Sequence, residues 1–232
     1  MTVDVIIPAL NEEASIGLVI QHLPIGLVRN VYVVDNGSTD QTASVAKSLG
    51  AKVLFEKERG YGAACLKALA FIAQDSPEAP PQLVAFIDGD YSDVPEELQI
   101  LVDTLQTRHL DMVLGSRVLG QREKGSLTFL QRFGNALATT LIKWFYSYHY
   151  TDLGPFRVIR YEVLKKLKMA DRNYGWTVEM QVKLAKHQFS FAEVPVQYKK
   201  RIGISKVSGT FRGVLGAGSK ILFIIFKTYV KG

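Results

Sequence analysis

The chain has 232 residues, 47% of them apolar and 10% aromatic, with 28 Lys and Arg against 22 Asp and Glu for a formal charge of +6. That length and apolar content suffice for a full core and exclude a disordered chain. One cysteine, Cys65, excludes an intramolecular disulfide framework, and no uncharged apolar run approaches the roughly 18 to 20 residues a spanning helix requires.

Residues 3–9 (VDVIIPA) read as a short buried strand, and the opening MTVDVIIPALNEE has none of the layout of a signal peptide. Asn11 is placed to cap the next helix, with Glu12 and Glu13 in its first turn where the dipole favours acids; Pro24 and Gly26 end it. A second, valine-rich strand over 28–34 runs into Asp35-Asn36-Gly37-Ser38-Thr39-Asp40, a turn in which Asp40 or Thr39 caps a helix over 41–48. A third strand over 51–55 precedes Gly60-Tyr61-Gly62 and a helix over 63–74. That Gly-x-Gly lacks the third glycine of a dinucleotide fingerprint and is not read as one. Cys65, between Ala64 and Leu66, reads as a packed helix position.

After a proline-rich loop over 75–82, the run LVAFIDGDYSD from Leu83 to Asp93 is a buried strand that delivers Asp88-Gly89-Asp90 to its carboxyl end. Residues two apart on an extended chain face the same side, so Asp88 and Asp90 can share one cation or divide a cation and a ribose between them. Gly89 lets a ligand approach the backbone. Hard oxygen donors of this kind suit Mg²⁺ or Mn²⁺, whose remaining ligands come from water and substrate phosphates. The stretch therefore reads as a metal-diphosphate site. Pro95 then starts a helix over 96–107, and 111–115 is a further strand. Strands alternating with helices over the first 115 residues predict an α/β fold, a mainly parallel sheet with helices on both faces. Ligands of such sheets sit beyond the strands' carboxyl ends, where Pro8, Asp35, Asp88, Asp90 and Arg117 all fall.

Beyond Arg117 the alternation breaks down. Residues 126–150 are helical in pattern, with Phe129, Phe133, Leu137, Leu141, Phe145 and Tyr148 forming a stripe expected to be mostly core. The turn 151–157 (TDLGPFR) leads to a short strand and a helix over 161–167. A helix over 175–186 carries Glu179, expected on its exposed face, and 189–198 is a strand. Trp176 and Tyr174 are read as core. The four histidines are scattered without metal-ligand spacing. Without repeats or linkers the chain reads as a single domain over 1–210, in which residues 1–117 form the ligand-binding region and residues 118–210 a second region. A basic amphipathic helix over 211–232 follows.

Charge is uneven. From Lys199 onward there are eight cations and no carboxylate, whereas the remaining 20 Lys and Arg against 22 acids leave the rest at −2. A basic end interleaved with Phe, Ile and Tyr is expected to meet an anionic membrane surface. No nucleic-acid-binding module is recognisable, so nucleic acid is not an expected partner.

Taken together, Val5-Ile6-Ile7-Pro8-Ala9-Leu10-Asn11-Glu12-Glu13, Val34-Asp35-Asn36-Gly37-Ser38-Thr39-Asp40, Asp88-Gly89-Asp90 and Gly115-Ser116-Arg117 resemble the family 2 glycosyltransferases of GT-A fold. Within that family the chain looks like the branch of dolichol-phosphate mannosyltransferase and its bacterial polyprenyl-phosphate relatives. The resemblance extends over nearly the whole chain, through Asp152 to Arg157, Gly175 to Glu179 and Arg201 to Lys206. It implies that Pro8, Leu10 and Glu12 line a nucleoside pocket, that Asp35 contacts base or ribose, and that Asp88 and Asp90 hold the cation on a sugar-nucleotide diphosphate. It also places Arg59 and Gly60 near the nucleotide, Arg117 at the sugar or acceptor phosphate, and Arg201 and Lys206 over the phosphates. Ser92 stands where the family often has an amide, so the third metal ligand is not identified.

The resemblance thus implies an inverting, Mg²⁺- or Mn²⁺-dependent transferase acting on a UDP-, GDP- or dTDP-sugar. The expected acceptor is a polyprenyl- or dolichyl-phosphate-type lipid, met at the cytoplasmic membrane face by a peripheral enzyme without spanning helices. A lipid phosphate is already a competent nucleophile. A glycan or small-molecule hydroxyl, the alternative acceptor, needs a carboxylate to take its proton, and Asp152, then Glu179, is the candidate. A sugar-nucleotide pyrophosphorylase would show a glycine-rich basic signature in place of Pro8-Ala9-Leu10-Asn11-Glu12, and a non-catalytic scaffold has no need of Asp88 and Asp90.

Overall fold

A computed structural model describes residues 2–75, 77–203 and 211–230. Its centre is one sheet of β1 (Val3–Ala9), β2 (Val28–Asp35), β3 (Lys52–Phe55), β4 (Leu83–Phe86), β5 (Met112–Ser116), β6 (Arg157–Arg160) and β7 (Phe191–Pro195). The spatial order is β3-β2-β1-β4-β6-β5-β7. Strands β1 to β4 pair in parallel, as do β5 and β7, while β6 runs antiparallel to β4 and β5. The expected α/β layout with a mainly parallel sheet is what forms.

Alternation along the strands divides the core in two. Ile6, Tyr32, Val34, Val84 and Phe86 face one side, under α3 (Tyr61–Asp75), α5 (Phe129–Tyr146), α6 (Tyr161–Leu167), α7 (Trp176–Lys186) and α8 (Phe211–Val230). Val5, Ile7, Val33, Leu83 and Ala85 face the other, under α1 (Ile16–Gln21) and α4 (Leu98–Thr107), with Ala46 of α2 (Thr42–Ser48). At about 1.5–3 kcal/mol for each fully buried aliphatic side chain, both layers are needed to hold the sheet. The last helix belongs to this core, since Ile225 is fully buried and Ile224 nearly so. It lies on α5 through Phe145 and Phe226, whose ring centroids are 5.1 Å apart, and Tyr146 Oη donates to the Ile225 carbonyl at 2.7 Å.

Several local expectations change. Asn11 does not cap α1; it adopts φ 52° and its Oδ1 accepts the Thr39 N–H at 2.8 Å, tying the first loop to the second. The helix starts later, at Ile16, behind Ser15. Neither Asp40 nor Thr39 is the N-cap of α2, a position held by Gln41; Asp40 instead braces the turn by accepting the Thr42 and Glu13 N–H groups. Helix α5 begins at a Thr128/Gln131 capping box and stops at Ser147, which takes the left-handed conformation. Its apolar stripe is not mostly core. Phe129, Phe133 and Leu137 are exposed, and the core contacts come from Ala138, Ile142, Leu141 and Phe145. Trp176 is buried as expected, but Tyr174 is exposed. Glu179 is not on an exposed face either: it is buried, accepts the Ala170 and Asp171 N–H groups, and pairs with Lys183 at 2.8 Å.

Candidate active site

The strand order reverses beside β1, with β2 and β3 on one side and β4 on the other, which opens a crevice at their carboxyl ends. A cleft of about 1690 Å³ starts there. Pro8 lies near the end of β1 and Leu10 and Glu12 follow it; Asp88, Gly89 and Asp90 follow β4; Arg117 follows β5; and Arg59, Gly60 and Arg201 come from loops, all lining the same cleft. Asp35 ends β2 but is buried, with Oδ1 accepting the Ser38 N–H at 2.8 Å, and its neighbour Asn36 lines the cleft. Lys206 lies outside the described residues.

The carboxylates are arranged asymmetrically. Asp90 Oδ1 accepts the Ser92 N–H at 2.9 Å and its hydroxyl at 2.6 Å, while Oδ2 lies 3.2 Å from Arg201 Nη1. Ser92 is therefore a brace for Asp90. Asp88 Oδ1 is buried and, among the described residues, has no hydrogen-bond partner. Burial, then the charge of Asp90, push the Asp88 carboxyl up to about 7. Two neighbouring acids, Asp90 buried and Asp88 half-buried with one unmatched buried oxygen, form a site that a cation would stabilise. Among the described residues no third His, Cys, Asp or Glu completes a cluster. A hard divalent ion would take its other ligands from water and a diphosphate, and the donor set fits that arrangement.

Arg117 is held rigidly. Its backbone N–H and Nε both donate to Asp152 Oδ2 at 2.8 Å, Nη2 donates to Oδ1 at 2.7 Å, and the guanidinium lies over the Tyr198 ring at 5.0 Å. Burial pushes the Asp152 carboxyl up, and the Arg117 charge and hydrogen bonds more than offset this, holding it below the usual carboxylate range. Such a carboxylate is a poor proton acceptor. Glu179, the second candidate base, is spent on backbone amides of residues 170 and 171.

The sequence assigns no role to Asn36, Gly62 or Asp93. Asn36 donates to the carbonyls of Glu56 and Glu58 and accepts the Gly60 N–H, fixing the loop that carries Arg59. Gly60 and Gly62 let that loop pack on another backbone: a Cβ at either would lie 2.1 Å from the Arg172 carbonyl oxygen or 2.0 Å from that of Asp171. Asp93, the last acid of the central run, is buried with neither oxygen hydrogen-bonded among the described residues; burial, then the Asp88 charge, push it well above the ordinary range. Its presence in the same acidic run was the available signal.

The same cleft also has an apolar wall. Phe129, Leu130, Phe133 and Leu137 of α5, all exposed, line it together with Ile221 and Leu222 of α8.

Comparison with known proteins bears on this geometry. The family model described as Glycosyl transferase family 2 matches residues 4–168. An uncharacterised glycosyltransferase of Mycobacterium tuberculosis is 36% identical over 214 residues, 91% of this chain and 92% of that protein. A dolichyl-phosphate hexose transferase of Haloferax volcanii is 30% identical over 223 residues, 94% of this chain and 91% of that protein. Among solved structures, glucosyl-3-phosphoglycerate synthase from Mycobacterium tuberculosis, in complex with Mn²⁺, uridine-diphosphate and phosphoglyceric acid, shares the fold. The TM-score is 0.77 at 23% identity, over 98% of this chain and 78% of that one.

Proposed function

The chain belongs to glycosyl transferase family 2 and is a sugar transferase, and we propose that it moves a sugar, with inversion, from a nucleotide-sugar to a polyprenyl- or dolichyl-phosphate-type lipid. One observation carries the choice of acceptor: the carboxylate-arginine cluster and the exposed apolar face of α5 open into a single cleft. An acceptor with an anionic head and a long apolar tail matches both. The dolichyl-phosphate hexose transferase among the relatives supports the same polyprenyl-phosphate branch.

Asp88 and Asp90 would hold Mg²⁺ or Mn²⁺, which supplies Lewis-acid stabilisation of the departing diphosphate. The Mn²⁺ and uridine-diphosphate in the glucosyl-3-phosphoglycerate synthase crystals support that pairing. Pro8, Leu10, Glu12, Arg59 and Gly60 form the nucleotide wall, with Asp35 beside it. Arg117, fixed by Asp152, orients the sugar or acceptor phosphate, and Arg201 with Lys206 neutralises charge that grows as the donor bond breaks. A phosphate acceptor attacks as an anion and needs no general base, in keeping with the commitment of Asp152 to Arg117 and of Glu179 to backbone amides. The work is done peripherally at the cytoplasmic face of a membrane. No described helix is long and apolar enough to cross one.

The test is transfer of labelled sugar from UDP-, GDP- and dTDP-sugars, with Mn²⁺, to polyprenyl phosphate in one arm and phosphoglyceric acid in the other. Label is expected in the organic phase, dependent on Mn²⁺ and lost in Asp90→Ala. Label carried by phosphoglyceric acid with none in the lipid would overturn the acceptor assignment.

A further inference from the structure

The Asp88-Asp90 pair already has a cation beside it, and it is supplied by the chain. Arg201 Nη1 lies 3.2 Å from Asp90 Oδ2, and Nη2 donates to Glu12 Oε1 at 3.0 Å. Because Ser92 occupies Asp90 Oδ1 through two hydrogen bonds, Oδ2 is the oxygen a metal ion would take, and the guanidinium is on it. Its Nε is buried without a hydrogen-bond partner among the described residues. The backbone around it is pinned: the Lys199 N–H donates to the Ser92 carbonyl at 2.8 Å and the Ile202 N–H to the Asp90 carbonyl at 3.0 Å. The guanidinium can thus leave Asp90 by side-chain rotation, with the segment staying in place.

We propose that Arg201 is the internal counter-ion of this carboxylate pair, and that a divalent cation enters by exchanging with its guanidinium at Asp90 Oδ2. The inference rests on the reading of Asp88 and Asp90 as the metal site. The neighbouring Asp88 and Asp90 carboxylates repel one another, and the single charge of Arg201 offsets some of that repulsion until a doubly charged ion replaces it. A cation arriving alone must displace the guanidinium and leave it with Glu12. A cation arriving with a diphosphate gives the displaced guanidinium, and its unmatched Nε, an anionic partner. Metal and diphosphate therefore bind with positive coupling, and the arginine that guarded the site becomes the one that faces the leaving group.

The experiment is calorimetric titration of Mn²⁺ alone into the full chain, without nucleotide, for wild type, Arg201→Gln, Arg201→Met and Asp90→Asn, with thermal melts to confirm folding. Both Arg201 variants are expected to bind Mn²⁺ about tenfold more tightly than wild type, the equivalent of removing one competing charge-assisted contact. Their metal-free melting points should fall and be restored by Mn²⁺ more fully than in wild type. Asp90→Asn should lose Mn²⁺ binding. Equal or weaker Mn²⁺ affinity in both Arg201 variants, with binding still lost in Asp90→Asn, would overturn the exchange and leave the metal site standing. Unchanged binding in Asp90→Asn would remove the metal assignment and the exchange with it.

Discussion

Arg117 and Asp152 show what a single pair contributes at this site. The Asp152 side chain is 1% exposed and that of Arg117 13%, so breaking the pair leaves an uncompensated buried charge at a cost of about 3–5 kcal/mol. Asp152→Asn is expected to lose stability of that order at pH 7 and to slow transfer, because Arg117 is no longer aimed. The folded-state carboxyl titrates below its unfolded value of about 3.9, so its contribution is complete above that pH and is lost as pH falls through the lower, folded value. Urea denaturation of wild type and variant at pH 7 and below pH 4 should show the gap closing in acid; a gap independent of pH would sink this account. Sequence spacing exposed Asp88 and Asp90, since an i, i+2 pair on a strand must share a side. The sequence could not show that Asp152 and Arg117, 35 residues apart, bond to each other.

Helix α5 carries the lesson at the level of an element. Its period of three to four residues correctly predicted a helix with one apolar face, but periodicity says nothing about what that face meets. Here the face divides: Leu141, Ala138 and Ile142 meet the core, while Phe129, Phe133 and Leu137 meet the cleft. Phe129→Ser with Phe133→Ser should leave stability within about 0.5 kcal/mol per site, as exposed positions do. The same variant should raise KM for a long-chain lipid phosphate several-fold, with little effect on a short-chain analogue. Equal KM changes for both acceptors would remove α5 from the acceptor path. Glycine tells the opposite story at α3. Gly62→Ala would drive a Cβ to 2.0 Å from the Asp171 carbonyl oxygen, a backbone atom that cannot step aside, and should cost roughly 1–3 kcal/mol in a urea melt.

At the scale of the whole molecule, the last helix presents a partly apolar surface. Helix α8 buries Ile224 and Ile225 but exposes Phe223, Phe226, Tyr229 and Val230, with Lys227 over the Phe223 ring at 5.3 Å. With about 1 kcal/mol of attraction per cation near anionic lipid, the full chain should sediment with anionic vesicles at low salt. It should do so far less with neutral vesicles or at high salt. Removing the helix would uncover core, so the informative variant is Phe223→Ser with Val230→Ser, at two exposed positions, expected to fold and to sediment less. Undiminished sedimentation of that variant would assign the helix a packing role alone.

The sequence by itself determined the parallel α/β sheet, the family and the acids at the end of β4, because strand alternation, helix period and short spacings are written locally along the chain. The tertiary structure decided what those local signals serve. It put the antiparallel β6 between β4 and β5, turned half of the α5 stripe toward the cleft and buried Glu179 against backbone amides. It also brought Arg201, more than a hundred residues from Asp90, onto that carboxylate. Each of these depends on which surfaces meet after folding, and no periodicity along the chain records that.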